Sequence, residues 1–429
     1  MTDPRLPGRL RAPVALQTVH YGLWPEDFFA RAQQRHGDVF TVRILGETWT
    51  VLGHPHAVKE VFALGPAAVN SGEPNLALRP LLGTENVLLL DGDEHLARRK
   101  LVLPPFHGER MRSYGRTIQE AIRTEVAAIP LGQPVALLPH MQSLTFAVIM
   151  RCVFGLEDGG RLRSLGEAMR QMIGWITEMR GSFLYGVLGP DRVTRLRSFR
   201  KQIEAAHTLL DAEIQERRRV DDLSGREDIL SLLIQARDAD GAGLSDEELR
   251  DELVTLLVAG HETTATVLGW AVHALARDDQ SQERLVAEPE QFGDAVITET
   301  LRLRPPVPVV LRRLLEPRTI AGHQLPAGAT LAPCTLLVHR RPDLYPDPWR
   351  FDPTRFLDRR PAGSEWFPFG GSVRRCLGAA FAQFEARMVL AELSRSLQFR
   401  PERVRSERVG RRGPVLVPGR GARVIASRR

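Results

Sequence analysis

The sequence Phe369-Gly370-Gly371-Ser372-Val373-Arg374-Arg375-Cys376-Leu377-Gly378 carries the strongest structural signal in this chain of 429 residues. A glycine-rich loop follows an aromatic residue and leads to one cysteine, after which apolar residues at helical spacing predict a helix from Leu377 to about Leu397. The free N–H groups at the start of that helix, together with Arg374 and Arg375, favour a thiolate at Cys376. The alternative is a small cysteine buried in the core, which the glycine-rich loop makes the weaker interpretation.

This stretch resembles the haem-binding signature of the cytochrome P450 monooxygenases, Phe-Gly-x-Gly-x-Arg-x-Cys-x-Gly. A Cys thiolate is the axial ligand of haem iron in that family, so the resemblance implies haem b (iron protoporphyrin IX) as the cofactor and Cys376 as the iron ligand. It also implies that Phe369 packs near the thiolate, and that backbone N–H groups around Leu377 and Gly378 hydrogen-bond the sulfur.

One position departs from the family pattern, because Ser372 stands where the signature has its second glycine. Glycine adopts positive φ readily, whereas serine does so only at a cost. Either Ser372 accepts a strained backbone or Gly371 absorbs the turn. We expect the site to survive in both cases.

The composition favours one large domain. The chain is 43% apolar and shows neither repeats nor a low-complexity linker. Three cysteines exclude a disulfide framework and indicate a reducing compartment, so we expect a cytoplasmic protein. No run approaches the roughly 20 apolar residues of a membrane-spanning helix, and the resemblance is therefore to the soluble, bacterial type of the family, without a membrane span.

The charge pattern argues against nucleic-acid binding. The net charge is +6, but the arginines are scattered among 52 acidic residues and form only short clusters. A basic face that attracts an acidic electron-transfer protein by electrostatic steering is the better interpretation.

Helical periodicity dominates the middle of the chain. Before it, Trp24 to Arg35 predict a helix, and the alternating runs Val39–Leu45 and Thr48–Leu52 predict a hairpin. We predict a mainly α fold with minor β structure (α+β). The resemblance spans most of the chain and implies the cytochrome P450 fold, with one haem-binding domain over residues 1–429. Its parts are a β-containing N-terminal region at about 1–90, a helical core at about 91–304, the thiolate loop and following helix at about 366–397, and strands at about 398–429.

The predicted helix from Leu244 to Arg277 contains a polar sequence at its middle, Ala259-Gly260-His261-Glu262-Thr263-Thr264. These residues lower helix propensity, and such a local conflict is expected at functional sites. The segment resembles the family pattern Ala-Gly-x-Glu-Thr-Thr, which implies that Glu262 and Thr263 deliver protons during O2 activation and that Ala259 and Gly260 lie beside the haem. The alternative is a buried helix with a polar defect.

Glu299 and Arg302 are three residues apart, so they share one face of a predicted helix that ends before Pro305. Alone this spacing is a weak signal. In the resembled family the same pair precedes an aromatic-x-Pro-x-Arg-Phe segment, here Phe351 to Phe356. The resemblance therefore implies that Arg355 completes a buried triad that holds the Cys376 loop and takes no part in the chemistry.

His95 and Arg99 are four residues apart on another predicted helix and face one way. The resemblance implies that this pair binds the haem propionates, with Arg374 and Arg312 as further candidates. The planar fork of arginine suits a carboxylate. For His95 alone, an ordinary surface histidine is the alternative.

The substrate is the least determined feature. The resemblance implies that the pocket is lined by Ser71–Leu90, Met169–Gly189, Thr255–Ala259, Val307–Val310 and Arg412–Val415, with contacts at Thr255, Val258, Ala259, Val309 and Val310. The second segment is rich in large apolar side chains, namely Met169, Met172, Trp175, Ile176, Met179, Phe183 and Tyr185. These suit a hydrophobic molecule such as a terpenoid, steroid or fatty acid, and plain helix packing is the equal alternative.

Together these motifs imply a haem-thiolate monooxygenase that inserts one oxygen atom from O2 by hydroxylation or epoxidation. We expect a monomer that receives electrons from a separate ferredoxin and its NAD(P)H-dependent reductase. A peroxide-driven or isomerising haem enzyme of the same fold stays open, although such enzymes replace the acid–alcohol pair that this chain keeps. A non-enzymatic haem sensor, which needs no such pair, is the other alternative.

Overall fold

The computed structural model describes residues 7–44, 46–106, 110–155, 159–177, 185 and 188–429. Its helices in chain order are α1 (Val14–Leu23), α2 (Pro25–His36), α3 (Pro55–Phe62), α4 (Arg79–Leu82), α5 (Gly92–Val102), α6 (Arg110–Ala128), α7 (Leu137–Phe154), α8 (Gly160–Thr177), α9 (Pro190–Val193), α10 (Arg197–Arg218), α11 (Ile229–Gln235), α12 (Asp246–Leu275), α13 (Asp279–Ala287), α14 (Gln291–Leu303), α15 (Thr335–Val338) and α16 (Ala379–Ser396). Short 3-10 turns cover Glu73–Leu78, Pro104–Phe106, Pro353–Phe356 and Ser372–Arg374.

The strands are short and lie mostly toward the two ends of the chain. They are β1 (Gly8–Arg9), β2 (Val39–Ile44), β3 (Glu47–Leu52), β4 (Val69–Asn70), β5 (Pro134–Ala136), β6 (Arg312–Leu314), β7 (Arg318–Ile320), β8 (His323–Leu325), β9 (Thr330–Pro333), β10 (Leu397–Pro401), β11 (Val409–Arg412), β12 (Val415–Pro418) and β13 (Arg423–Arg428). The largest sheet has the order β1-β2-β3-β9-β6-β4, a second has the order β10-β13-β5, and β7-β8 and β11-β12 form two-stranded sheets. The prediction of a mainly helical chain with minor β structure is confirmed.

The predicted early elements are present with small boundary shifts. The helix α2 begins at Pro25, whose missing N–H is tolerated in the first turn, and it ends before Gly37 at φ 82°. The hairpin pairs Val39 with Leu52 and Ile44 with Glu47 in antiparallel register. Leu45 lies outside the described residues.

The long helix α12 runs through the centre of the fold. A capping box starts it: Ser245 Oγ accepts a hydrogen bond from the Glu248 N–H at 3.2 Å, and Glu248 Oε2 accepts one from the Ser245 N–H at 2.7 Å. Apolar side chains of α12 then pack against α7 and α16 in the main core. The helix is two residues shorter at each end than the Leu244–Arg277 prediction.

One described helix, α7, is apolar and long enough to cross a membrane by length and composition. In the folded protein 67% of that stretch is buried, chiefly against α12 and α6. The apolar character of α7 is therefore accounted for by its place in the core.

The conformation of the thiolate loop shows whether Ser372 or Gly371 takes the positive φ. Ser372 itself adopts the left-handed conformation with φ 60°, whereas Gly371 is extended with φ −157°. Gly371 is needed for another reason, since a Cβ there would lie 2.4 Å from the ring of Phe62. The loop thus holds a strained serine, and the following helix begins at Ala379, two residues later than predicted.

Candidate active site

Cys376 lies between the 3-10 turn at Ser372–Arg374 and helix α16, and its backbone is tied to the start of the loop. The Cys376 N–H donates to the Phe369 carbonyl at 2.9 Å, and the Gly370 N–H donates to the Phe367 carbonyl at 2.9 Å. The thiol opens into a recess of about 140 Å³ whose wall includes Arg99 and Gln383. The cysteine is therefore presented at a recess and is not packed in the core.

Opposing effects act on the pKa of the Cys376 thiol. Burial raises the pKa of the thiol, while the Gly378 N–H, Arg99 and Arg375 lower it by smaller amounts. The hydrogen bond from Gly378 agrees with the expectation for the sulfur. The Gly378 N–H and Arg375 thus act in the predicted direction, toward the thiolate, but desolvation outweighs them and the net pKa of the thiol is raised.

Four basic side chains lie close together near Cys376, with three arginines acting on His95. His95 is only 2% exposed, so the surface-histidine alternative is wrong. Burial, followed by the charges of Arg374, Arg99 and Arg312, lowers its pKa to about 4, with Asp91 acting in the opposite direction. Arg99 in turn interacts with the thiol of Cys376. The four predicted propionate ligands are thus brought together.

The arginines of this cluster are partly committed to the protein. Arg374 donates to Asp91 Oδ1 at 2.6 Å, and Arg312 donates to the carbonyls of Leu311 at 2.8 Å and Gly371 at 3.3 Å. Burial lowers the pKa of Arg374 and of Arg312 to about 10. Concentrated positive charge with reduced hydration favours an anionic ligand.

The middle of α12 presents an accessible strip on a helix that is otherwise mostly buried. Its members recur at helical spacing and are Leu256, Ala259, Gly260 and Thr263. The Thr263 hydroxyl donates to the Ala259 carbonyl at 2.8 Å, one turn back. The Cβ position of Gly260 lies 3.4 Å from Ile149, so a side chain at this member of the strip would press against α7.

Glu262 faces away from this strip. Its Oε2 accepts a hydrogen bond from Gln142 Nε2 at 2.7 Å, and its Oε1 lies 3.9 Å from Arg412 Nη1. Burial raises the pKa of the Glu262 carboxyl, and Arg412 and Gln142 counteract this in part. The sequence analysis missed Gln142, which no motif marks. Glu262 and Thr263 therefore have separate partners on adjacent faces of α12.

The three residues of the predicted triad lie together, with Glu299 and Arg302 fully enclosed and Arg355 partly exposed. Arg302 Nε donates to Glu299 Oε2 at 2.6 Å and its Nη2 to Oε1 at 2.8 Å, with both side chains 0% exposed. Arg355 Nε lies 3.6 Å from Glu299 Oε1. Arg302 also donates to the carbonyls of His339 and Pro348, both at 2.8 Å. These contacts fasten the segment 339–352 directly, and the Cys376 loop only through it.

His339 makes the connection from this segment to the loop. Its Nε2 accepts a hydrogen bond from the Phe367 N–H at 2.9 Å, two residues before Phe369. Burial lowers the pKa of His339 to about 3, so the imidazole is neutral and can act as an acceptor. The sequence analysis missed this role, and the only signal was the position of His339 between the two parts of the triad.

The predicted substrate contacts fall into two groups. Val258 and Ala259 lie at or beside the accessible strip, and Val310 is partly accessible next to the thiolate loop, with its Cγ1 3.6 Å from the Cβ position of Gly370. Thr255 and Val309 are buried, at 5% and 9% exposure.

The large apolar side chains of Met169–Gly189, the second predicted lining segment, also fall into two groups, core residues and partly buried ones. Met169 and Met172 are fully enclosed in the main core, which supports the packing alternative for them. Trp175 is partly buried and stacks edge-on with Phe199, and the Tyr185 hydroxyl donates to the Ala77 carbonyl. Met179, Phe183 and the side chain of Ile176 lie outside the described residues.

Comparison with known proteins gives one consistent result. The family model described as Cytochrome P450 matches residues 6–420. Cytochrome P450 135B1 of Mycobacterium tuberculosis, a provisionally assigned name, is 40% identical over 98% of this chain and 90% of its own length. The provisionally named cytochrome P450 138 of the same species is 35% identical over 99% of this chain and 97% of its own.

A solved structure supports the same assignment of the fold. The retinoic acid-bound cyanobacterial protein CYP120A1 superposes with a TM-score of 0.85, at 25% sequence identity, over 99% of both chains. Matches of this quality cover the helical core, the thiolate loop and the terminal sheets together.

Proposed function

The chain belongs to the cytochrome P450 family of haem monooxygenases, and from that premise we propose that it inserts one atom of O2 into a hydrophobic small molecule by hydroxylation or epoxidation. One observation carries the proposal: Cys376 opens into a recess beside a cluster of four basic side chains. A soft thiolate ligand and an anion-binding rim are the two features that an iron porphyrin with two propionates requires.

The residues present fit a haem group, and we assign their roles accordingly. Cys376 Sγ would be the iron ligand, and His95, Arg99, Arg312 and Arg374 would hold the propionates of haem b. When bound, the haem supplies the oxidising chemistry, while the protein orients and shields it. The Gly378 N–H supports the negative charge on the sulfur.

We assign proton delivery to Glu262 and Thr263. Burial raises the pKa of the Glu262 carboxyl, which favours its protonated, proton-donating form, and Gln142 fixes its orientation. The Thr263 hydroxyl, bonded to the Ala259 carbonyl, faces the accessible strip and can turn its proton toward a reacting group there. Glu262 and Thr263 hydrogen-bond to different partners. A side-chain movement or a bridging water molecule is therefore needed to pass a proton between them.

The substrate proposal is a terpenoid, steroid or fatty acid. Support comes from the apolar side chains of Val258 and Ala259 at or beside the strip and of Val310 next to the thiolate loop, and from the binding of retinoic acid, itself a hydrophobic acid, by the structural neighbour. Ring or chain hydrocarbons fit such a lining because few polar groups there require partners.

Members of this family act with O2 and redox partners, and we propose a ferredoxin with an NAD(P)H-dependent reductase for this chain. A groove of about 920 Å³ lies between α3 and the thiolate loop. His56, Lys59 and Arg375 line it with Phe62 and Trp366, which gives a basic and aromatic surface next to the cysteine. An acidic iron–sulfur protein would be steered there. We further propose a cytoplasmic monomer with one domain over residues 1–429.

The deciding experiment is the carbon monoxide difference spectrum of the reduced, haem-loaded protein and of Cys376→Ala. The proposal expects a strongly red-shifted Soret band that disappears in the variant. A band typical of imidazole ligation in the wild type would overturn the assignment of Cys376. Turnover with ferredoxin, reductase and NADPH, compared with turnover on peroxide alone, separates the monooxygenase from a peroxide-driven enzyme, and the absence of product under both conditions would favour a haem sensor.

A further inference from the structure

Residues 83–91, named here the strap, connect the oxygen-side helix α12 to the thiolate loop. On the α12 side, Asp251 Oδ2 accepts a hydrogen bond from the Glu85 N–H at 3.0 Å. One residue further along α12, Glu252 Oε1 accepts one from the Val87 N–H at 2.7 Å. Both carboxylates are buried, at 2% and 0% exposure. Each enclosed N–H thus has a carboxyl oxygen as its acceptor, and loss of that acceptor would leave a buried donor unpaired at a cost in free energy.

The opposite side of the strap is held by Arg374, two positions before Cys376. Arg374 Nη1 donates to the Val87 carbonyl at 3.2 Å, and Nη2 donates to the Leu90 carbonyl and to Asp91 Oδ1. Val87 therefore donates its N–H to α12 and accepts at its carbonyl from the thiolate loop. Val87 is thus bonded to both α12 and the thiolate loop, so a shift of one can be passed to the other through this residue.

Close packing leaves the strap little freedom to move alone. A Cβ at Gly83, which has φ +74°, would lie 2.0 Å from Asp251 Oδ2, so only glycine admits the carboxylate here. At the far end, Asp91 accepts three backbone N–H groups, from Ser71 at 2.6 Å, Gly72 at 2.8 Å and Glu73 at 2.9 Å. The strap thus moves with the elements it joins.

A third element is fastened at the same place. Arg98 of α5 donates to the Glu85 carbonyl and to Glu248, and its Nη1 lies 3.4 Å from Glu252 Oε1. The same helix carries His95 and Arg99. The acidic turn of α12 therefore fixes both the strap and the helix that bears two of the basic residues beside Cys376.

Resting on the proposed function, we propose that Asp251 and Glu252 are positioning residues that couple α12 to the haem ligands. Through the strap they set the position of Arg374, and with it the thiolate loop. A substrate that displaces α12 or the strap is thereby sensed at the thiolate side. Neither carboxylate takes part in the reaction itself.

The test uses the full-length, haem-loaded protein with Glu252→Leu, which removes the acceptor of the Val87 N–H. We expect haem transfer to apomyoglobin to become about 10-fold faster, in keeping with the size of couplings between contacting residues. We also expect faster amide hydrogen exchange in peptides from both the strap and the thiolate loop. Glu252→Gln retains an acceptor oxygen and should restore most of the wild-type haem retention.

Two controls separate coupling from general destabilisation. Glu247→Gln changes an exposed carboxylate one turn back on the same helix and should leave both readouts unchanged. Asp228→Asn weakens a buried ion pair with Arg217, remote from the strap in sequence and contacts. It should lower thermal stability without raising exchange in the thiolate loop.

A double-mutant cycle with Arg374→Lys completes the test. Coupling predicts that the effects of Glu252→Leu and Arg374→Lys on haem transfer are not multiplicative, and multiplicative effects would overturn the proposal. If Glu252→Leu does not fold, Asp251→Ala, which removes the acceptor of the Glu85 N–H, replaces it in the cycle. Failure of the carbon monoxide spectrum would reject the proposed function alone, because amide exchange of the strap and loop in the haem-free variants still decides whether the two are coupled.

Discussion

His339 Nε2 lies 2.9 Å from the backbone nitrogen of Phe367 and accepts its N–H, while the carbonyl of His339 accepts a hydrogen bond from Arg302. A neutral histidine thus joins the Glu299–Arg302 pair to the segment that leads into the cysteine. The triad therefore acts on the thiolate loop indirectly, through His339.

We predict that His339→Leu lowers the free energy of unfolding by about 1–3 kcal/mol, because the enclosed Phe367 N–H loses its acceptor. The fraction of protein that shows the thiolate-type carbon monoxide spectrum should fall as well. His339→Gln, whose amide oxygen can accept the same bond, is the matched control. Equal loss in both variants would mean that ring packing, and not the hydrogen bond, is what matters.

Ser372→Gly should stabilise the protein by about 0.5–1 kcal/mol. The serine has φ 60°, a conformation that costs a non-glycine residue about 1–2 kcal/mol, and the extra freedom of glycine in the unfolded chain offsets part of the gain. Denaturant titration of the haem-free protein measures the difference. Ser372→Ala keeps the strain and should show no gain, so a comparable increase in that variant would refute the explanation.

Thr263→Ala is expected to uncouple NADPH consumption from product formation and to release peroxide. The variant loses the hydroxyl that faces the accessible strip, while the Ala259 carbonyl stays in place. Thr263→Ser preserves the hydroxyl and should remain largely coupled. Product yield per NADPH, measured with the first substrate found by spin-state shift, decides the matter, and a fully coupled alanine variant would remove Thr263 from proton delivery.

The stability of the protein should depend on pH because two buried glutamates have raised pKa values. Burial raises the pKa of Glu385 and of Glu252 to about 8. Between pH 6.5 and 8 each is protonated in the folded chain and ionised in the unfolded chain, so unfolding releases protons. Stability must then fall as the pH rises, by up to about 1.4 kcal/mol per pH unit for each group.

Glu385→Gln tests this dependence, since the amide cannot ionise and should remove about half of the slope contributed by the two acids. Denaturant midpoints at several pH values measure it. The buried histidines add a slope of opposite sign at the lower end of this range. Burial lowers the pKa of His95 and His261 to about 4, so their contribution to stability rises with pH until about pH 7.5, and it is the same in the wild type and in Glu385→Gln. An unchanged slope in Glu385→Gln would show that Glu385 is ionised in the folded state.

The parts of the site that local sequence specifies were predictable. The shared helix faces of Glu299 with Arg302 and of His95 with Arg99 follow from their spacings, whereas the roles predicted for them and for Cys376 rest on the family resemblance. Contacts between distant segments were not predictable. Gln142 reaches Glu262 across 120 positions, and Val87 reaches Glu252 across 165. A glutamine or a valine in a helical or loop context gives no signal of its own, because only tertiary packing creates its role.

For the fold, too, local features were predictable and features that depend on tertiary packing were not. Proline and glycine fixed the limits of α2 and of the hairpin, whereas the start of α16 was misplaced by two residues. Apolar periodicity alone made Leu377 look helical, but the turn that presents Cys376 takes precedence until Gly378. The net effect on the Cys376 pKa was also beyond the sequence, because desolvation depends on how many atoms the whole fold places around the thiol.

Helix α7 has a consequence for biosynthesis. Its apolar surface is covered in the native protein largely by α12, which begins only at Asp246. On a ribosome that adds about 5–20 residues per second, α7 emerges roughly 5–20 s before its covering helix exists. During that interval the nascent chain exposes a segment as apolar as a membrane anchor, so slow translation between α7 and α12 should increase its demand for chaperones and its losses to inclusion bodies.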